Sequence, residues 1–201
     1  MANSRYVSHI KWWFFIVPLL TVVLLPFMPD PEFFKIPTVE QSSVLQVVGA
    51  DKSQGAVIEA NAAFKRLFVS TGMVGATLHH HTSLIGDAGV SALAYHWTMN
   101  FWRMVYRMVY RVIVLRFWAL SGLIMCMGAF IDGTVRGKIS ASAAGSVSPL
   151  SFHLASHGIV LLLGTILIVL VIPVPVLAFY WVGVCAVLAL LFWRAAGAFQ
   201  R

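Results

Sequence analysis

Charged residues are scarce in this chain, and carboxylates are the scarcest of them. Only 10% of its 201 residues are charged, with 7 Asp and Glu against 14 Lys and Arg, while 60% are hydrophobic. A soluble domain of this length could not bury so much apolar surface. The composition therefore predicts one membrane domain over residues 1–201, and we assign the net charge of +7 to span-flanking arginines that touch anionic lipid headgroups rather than nucleic acid.

No Asp, Glu, Lys or Arg occurs in residues 157–193, a stretch of 37 residues. As one helix it would be about 55 Å long, whereas the hydrocarbon core of a bilayer is about 30 Å thick. Pro173 and Pro175 remove backbone donors near its middle. We therefore predict a membrane hairpin that crosses over residues 154–172, turns at the prolines and returns over 176–193. The alternative is a kinked helix in a soluble core.

Two further apolar runs predict spans, over residues 12–28 and 112–131. The first follows Arg5 and Lys11 and lacks a small-residue cleavage site, which favours a retained span over a cleaved secretory signal. The fold class predicted is all-α: a polytopic protein with four transmembrane helices and both termini in the cytoplasm. A helical extramembrane segment over residues 30–100 separates the first two spans.

The extramembrane segment holds six of the seven acidic residues. Capping-box spacing from Thr38 to Gln41 predicts a short helix over residues 39–48 that ends at Gly49. A second helix is predicted from near Ser53 to before Gly72, with an apolar face that packs on the bundle, the headgroups or a partner. The glycines that mark the next stretch as loop are Gly72, Gly75, Gly86 and Gly89.

A basic stripe is predicted on the helix that leads into the second span, because residues four apart share a helix face. Its three like charges call for anions alongside, either lipid phosphates or the carboxylates of a partner. Arg116 lies off the stripe, close enough to the membrane surface to snorkel. The residues predicted to contact lipid or a partner are Arg103, Arg107, Arg111 and Arg116.

A polar cytoplasmic link is predicted over residues 132–153, and we assign its histidines to capping or headgroup contact. The link residues singled out are Asp132, Arg136, Lys138, His153 and His157. The run His79-His80-His81 lacks converging ligands, so neither a metal site nor another cofactor is expected. Cys126 and Cys185 are predicted to be free thiols. The small residues predicted to pack the spans are Gly158, Gly164, Gly183 and Ala186.

Three segments and the proline-split hairpin carry a family resemblance: LFVSTG, IDGTVRGKIS and SPLSFHLASH, at residues 67–72, 131–140 and 148–157. Together they resemble the inner-membrane proteins of integrating conjugative elements and conjugative plasmids, a family of uncharacterised function. The link here is less basic than is usual in that family. The resemblance implies a role in conjugative DNA transfer, beside the coupling ATPase that delivers DNA to a type IV secretion channel.

Three classes of function remain open. The chain is expected to be a non-catalytic component of conjugation that binds the coupling protein or the secretion machinery, with an oligomer as one arrangement. An exclusion or immunity protein of the envelope is the second class. A membrane transporter or enzyme is the third, and it is disfavoured because the spans lack Asp, Glu and Lys and no catalytic residue pattern is present.

Overall fold

The computed structural model describes residues 10–79, 89–143 and 149–199, and these residues form helices and turns without a strand. This confirms the all-helical prediction. In chain order the helices are α1 (Trp12–Phe27), α2 (Thr38–Val48), α3 (Ala50–Phe64), α4 (Met73–His79), α5 (Val90–Ser142), α6 (Pro149–Val171) and α7 (Ala178–Phe199).

Two compact units divide the chain, and each combines segments that are far apart in sequence. The first unit comprises residues 1–15, 115–167 and 178–201, and therefore contains most of α6 and all of α7. The second unit comprises residues 16–114 and 168–177, and therefore contains α2, α3 and α4 with the linker between α6 and α7.

Three helices in the described part of the chain are long and apolar enough to cross a membrane: α5, Leu150–Val171 in α6 and Ala178–Ala198 in α7. Their apolar side chains are extensively exposed, as at Leu120 (69%) and Leu154 (72%). Such surface suggests membrane association. The first predicted span is the shorter helix α1, which opens with a π-helical turn and closes with a 3-10 turn, so the prediction of four spans remains a prediction.

The helix that contains the second predicted span extends well beyond that span at both ends. α5 is a continuous helix of 53 residues, about 80 Å long at the usual rise per residue. It begins at Val90, inside the segment expected to be extramembrane, and continues through Asp132 and Gly133 to Ser142. A helical glycine costs only about 1 kcal/mol relative to alanine, and here the glycines permit close packing on α7. The predicted polar link is helical over most of its length.

The helices of the segment predicted to be extramembrane follow the predicted order, but they begin and end at different residues. Pro37 occupies the N-cap position of α2 and no side chain caps it, so the predicted capping box does not form. Gly49, at φ +88°, ends α2 as expected, and α3 begins immediately, at Ala50 rather than near Ser53. Gly75 lies within α4 and not in a loop, whereas Gly86 and His80-His81 lie outside the described residues.

Glycines bring α5 and α7 into close parallel contact in the first unit. A Cβ at Gly133 would collide with the carbonyl oxygen of Trp193, and one at Gly137 would lie 2.8 Å from that of Gly197. The four-residue spacing of Gly133 and Gly137 is the small-residue pattern of close helix crossings. The backbones can approach only because these positions carry no side chain.

The predicted small-residue contacts are confirmed at two of four positions. A Cβ at Gly158 would lie 3.0 Å from Leu191, and one at Gly164 would lie 2.8 Å from the Trp13 Cβ. A Cβ at Gly183 would meet no atom within 4 Å, and Ala186 is exposed. The latter two residues therefore do not pack helices together within this chain, because their side of α7 faces outward.

We predict that Gly133→Ala destabilises the protein by about 1–3 kcal/mol, as expected for overpacking, because the added methyl group strikes the α7 backbone. Thermal unfolding in mild detergent measures the effect. Gly128→Ala is the matched control, since it lies on the same helix and a Cβ there would meet nothing within 4 Å. Equal melting temperatures for the two variants would contradict the role assigned to the close crossing.

Candidate functional site

In the second unit, polar side chains of α5 bind backbone carbonyl groups at the end of α1. Trp97 donates its indole N–H to the carbonyl of Val23 at 3.0 Å. Asn100, which is buried, donates to the carbonyls of Pro26 and Met28 at 3.2 and 3.0 Å. These carbonyls lie at the end of α1, where the helix supplies no further N–H partners, so side chains of α5 satisfy them.

A buried ionic cluster lies farther along α5, beyond Trp97 and Asn100. Arg107 and Arg111 are each 1% exposed, and Glu40 of α2, the carboxylate between them, is 2% exposed. Arg111 binds Glu40 through two parallel hydrogen bonds, Nε to Oε1 at 2.8 Å and Nη2 to Oε2 at 2.9 Å. Arg107 Nη2 donates to Oε2 at 2.8 Å. The fork geometry of Arg111 is the strong form of a charge-assisted pair.

The same cluster holds the proline linker between α6 and α7. Arg111 Nη1 donates to the carbonyls of Val169 and Ile172 at 2.6 and 2.5 Å. Both arginines donate to the carbonyl of Val174, Arg107 at 3.0 Å. The amide of Val176 donates to Glu40 Oε2 at 3.3 Å. One carboxylate and two guanidinium groups therefore fix the predicted turn in place.

Proline explains why the linker needs these donors. In an α-helix the amide of residue 173 would bind the carbonyl of Val169, but Pro173 has no N–H. Pro175 lacks one as well, so the end of α6 carries carbonyls without helical partners. Leaving such groups buried and unpaired would cost about 1–3 kcal/mol each. Arg111 supplies the donor to Val169 that Pro173 lacks.

The pKa of the Glu40 carboxyl results from opposing effects. Burial raises this pKa, while the hydrogen bonds and positive charges of Arg111 and Arg107 lower it, and the net result lies below the ordinary value of 4.5. The two arginines therefore hold Glu40 as an anion. A buried carboxylate balanced in this way joins α2, α5 and the linker in one polar contact.

The environment predicted for the basic stripe is wrong for two of its members. Arg107 and Arg111 are buried, and the anion between them is Glu40 of the same chain. Arg103 is half-buried and donates to Asn100 Oδ1 at 3.5 Å. Arg116, in the first unit, is exposed. Only Arg103 and Arg116 are accessible enough for the contacts that the sequence suggested.

An aromatic groove lies beside the ionic cluster in the second unit. The rings of Phe64 and Phe68 pack on Trp102 with centroids 6.1 and 5.5 Å away, and Phe64 also packs on Tyr106. The groove encloses about 420 Å³, and its lining includes Arg103 and Lys35. This size is within the range of ligand pockets. We call it the aromatic groove below.

The residues of the predicted link lie on helices of the first unit. Trp193 donates to Asp132 at 2.6 Å, and Arg136 lies 3.7 Å from the same carboxylate. Lys138 is exposed one turn from the end of α5. On α6, His153 is exposed and His157 is partly exposed. No group of three His, Cys, Asp or Glu residues that could hold a metal occurs among residues 10–79, 89–143 and 149–199.

Glu40 is the site residue that the sequence reasoning did not single out. It is separated from Arg107 and Arg111 by 67 and 71 positions, so no local spacing connects them. A signal was nevertheless present. A stripe of arginines entering a membrane helix calls for anions alongside, and the chain has only 7 acidic residues that could supply a carboxylate.

We predict that Glu40→Gln destabilises the protein by about 3–5 kcal/mol, because it leaves two buried arginines without a compensating charge. The melting temperature in mild detergent should fall accordingly. Glu32→Gln is the control, since Glu32 forms an exposed pair with Lys35 at 2.5 Å and such pairs are worth about 0–1 kcal/mol. A Glu40→Gln protein as stable as the control would show that the cluster does not anchor the linker.

The pH dependence of unfolding provides a second measurement on the same variant. Because the pKa of Glu40 is lower in the folded than in the unfolded protein, the unfolded state binds the proton more readily. The stabilisation is therefore present above pH 4.5 and is lost as the pH falls through the folded-state pKa. Glu40→Gln should abolish this component of the acid sensitivity, and an unchanged pH profile would contradict the assignment.

Comparison with known proteins identifies the family. A search of the curated proteins and a search of the solved structures each found no match. The model of the family described as IncC plasmid conjugative DNA transfer protein DtrJ-like matches residues 37–200. The match covers the second unit from just before α2 onward, including Glu40 and both buried arginines, and nearly all of the first unit outside its N-terminal segment. The chain belongs to this family of plasmid conjugative DNA transfer proteins.

Proposed function

We propose that this chain is a non-catalytic component of the bacterial inner membrane that takes part in conjugative DNA transfer. On this proposal it associates with the coupling ATPase or with other membrane proteins of the type IV secretion machinery. Family membership supports the transfer role. The exposed apolar sides of α5, α6 and α7 support residence in a membrane.

The ionic cluster is the observation that favours a structural role. The buried charges of Glu40, Arg107 and Arg111 are directed at one another and at backbone carbonyls of the same unit. Ionisable residues in membrane proteins commonly mark an ion or substrate pathway. Here they fix a linker instead, which supports an adaptor rather than a transporter or an enzyme.

The aromatic groove is the surface that we assign to partner binding. Its walls are mainly aromatic and aliphatic, and two cationic residues, Arg103 and Lys35, also line it. Aromatic anchors and arginine are the residue types that dominate protein interfaces. A partner segment with apolar side chains and a carboxylate would satisfy both features, so we assign this chemistry to the segment that binds there.

The proposed membrane topology has four spans, with α1 as the first. Both termini then lie in the cytoplasm, and α2, α3 and α4 lie in the periplasm. Three helices, α5, α6 and α7, have the length and composition that a crossing requires. The short proline linker between α6 and α7 supports a hairpin of two of them. The crossing of α1 and the orientation are proposed from the apolar run over residues 12–28 and from the positive charges beside the predicted spans.

We predict that charge reversal at Arg103 lowers conjugative transfer about tenfold, the effect of losing about 1.4 kcal/mol of partner binding. Mating frequency from donors carrying Arg103→Glu measures this, with immunoblots of the membrane fraction to verify normal levels. Lys65→Glu is the control, since Lys65 is exposed on α3's π-helical extension and outside the groove.

Two strains test the role of the groove and the role in DNA transfer separately. Normal transfer by Arg103→Glu would remove the groove from partner binding. Normal transfer by a strain lacking the protein altogether would overturn the transfer role itself. A deletion that leaves mating intact but raises transfer between donors would instead identify an exclusion or immunity protein.

A topology experiment uses alkaline phosphatase, which is active only in the periplasm. We expect a fusion after Asp51, in α3, to be active and a fusion at the C-terminus to be inactive. The reason is that an even number of crossings returns the chain to the side from which it started. Inactive enzyme at Asp51, with the fusion protein present on immunoblots, would reverse the proposed orientation.

A further inference from the structure

A small basic pocket lies in the first unit, where α5 and α7 end and α6 begins. It encloses about 260 Å³, and its polar lining comprises Arg136, Ser140, Ser151, Trp193 and Arg194. Three helices contribute to it, because Ser151 belongs to α6 and the arginines belong to α5 and α7. We call it the basic pocket.

Glycines create the floor of the basic pocket. Gly133 and Gly137 of α5 and Gly197 of α7 line it, at the close helix crossing described above. Because none of the three carries a side chain, the two helix backbones approach each other directly. The larger residues beside them therefore surround a recess, with Arg136 on one helix and Arg194 on the other.

One indole ring orients both arginines. The guanidinium carbon of Arg136 lies 5.4 Å from the centroid of Trp193, and that of Arg194 lies 5.6 Å from it. Each distance is that of a cation–π contact. Trp193 itself is fixed by its hydrogen bond to Asp132 at 2.6 Å, so the ring holds two positive charges beside the same recess.

The charges around the pocket do not balance. Asp132 is the nearby carboxylate, 3.7 Å from Arg136, and both side chains are more than 60% exposed. Such an exposed contact is weak, and the described residues that line the recess include no acidic side chain. Two guanidinium groups facing one small cavity repel each other, and an anion between them would relieve that repulsion.

The chemistry of the lining selects a phosphate group. Guanidinium groups bind phosphate oxygens in a fork geometry, and the hydroxyl groups of Ser140 and Ser151 add two further donors. The source of the phosphate follows from the neighbouring surface. Ile139 and Leu154, close in sequence to pocket residues, are 62% and 72% exposed, so acyl chains could lie against apolar helix faces beside the recess.

We propose that the basic pocket binds the phosphate of an anionic phospholipid, with its acyl chains along α5 and α6. Basic pockets between membrane helices are known to hold such headgroups. The proposal concerns the first unit alone and does not depend on the role in DNA transfer. The lipid would join the ends of three helices and stabilise their crossing.

Native mass spectrometry of the purified full-length protein tests this proposal. We expect phosphatidylglycerol to remain bound to the wild-type protein in preference to phosphatidylcholine. Arg194→Gln should weaken that retention about tenfold, as expected for the loss of one charge-assisted contact. Arg194→Lys keeps the charge without the planar fork, and it should give an intermediate loss even if the glutamine variant fails to fold.

Lys138→Gln is the matched control. Lys138 lies on α5, two residues from Arg136, and it is exposed but does not line the pocket. It should retain phosphatidylglycerol as the wild type does. Equal losses in Lys138→Gln and Arg194→Gln would overturn the proposal in favour of general surface attraction. Equal retention of the two lipids would also overturn it, and displacement of the lipid by millimolar inorganic phosphate would identify a site for free phosphate instead.

Discussion

The second unit depends on one buried carboxylate. Glu40 neutralises Arg107 and Arg111, and the two arginines donate hydrogen bonds to backbone carbonyls at the end of α6 and in the proline linker. Burying a single one of these charges would be costly. The cluster is stable because each charge has a partner and most of the remaining donors meet backbone oxygens. Removing any member therefore exposes the desolvation cost of the others.

α5 is the source of most of these donors. Over residues 97–111 its polar side chains point at the end of α1, at Glu40 and at the proline linker. Farther along, within the first unit, the same helix presents glycines to α7. The two parts of α5 make different contacts because they carry different residues. Residues 97–111 supply hydrogen-bond donors to backbone groups that lack partners, whereas the glycines farther along let the backbones of α5 and α7 touch.

The two arginine sites differ in exposure, and this difference suits them to different tasks. In the ionic cluster, Arg107 and Arg111 are buried and bind Glu40 and backbone carbonyls of the same unit. In the basic pocket, Arg136 is largely exposed, with one weak carboxylate contact and one ring contact. Buried, paired arginines position the backbone, whereas exposed arginines around a recess remain able to bind an anion from outside.

The sequence by itself determined the helical class, the three long apolar helices, the turn at Pro173 and Pro175, and the helix end at Gly49. These features follow from local composition and from the backbone chemistry of proline and glycine, which act at their own positions in the chain. It also supported the conjugative family. Tertiary structure alone decided the partner of the arginines, because Glu40 lies 67 or more positions away and only folding brings it between them. The same reason explains why Asp132 and Gly133 do not end α5: close packing on α7 outweighs a modest local preference, and that contact is invisible along the chain.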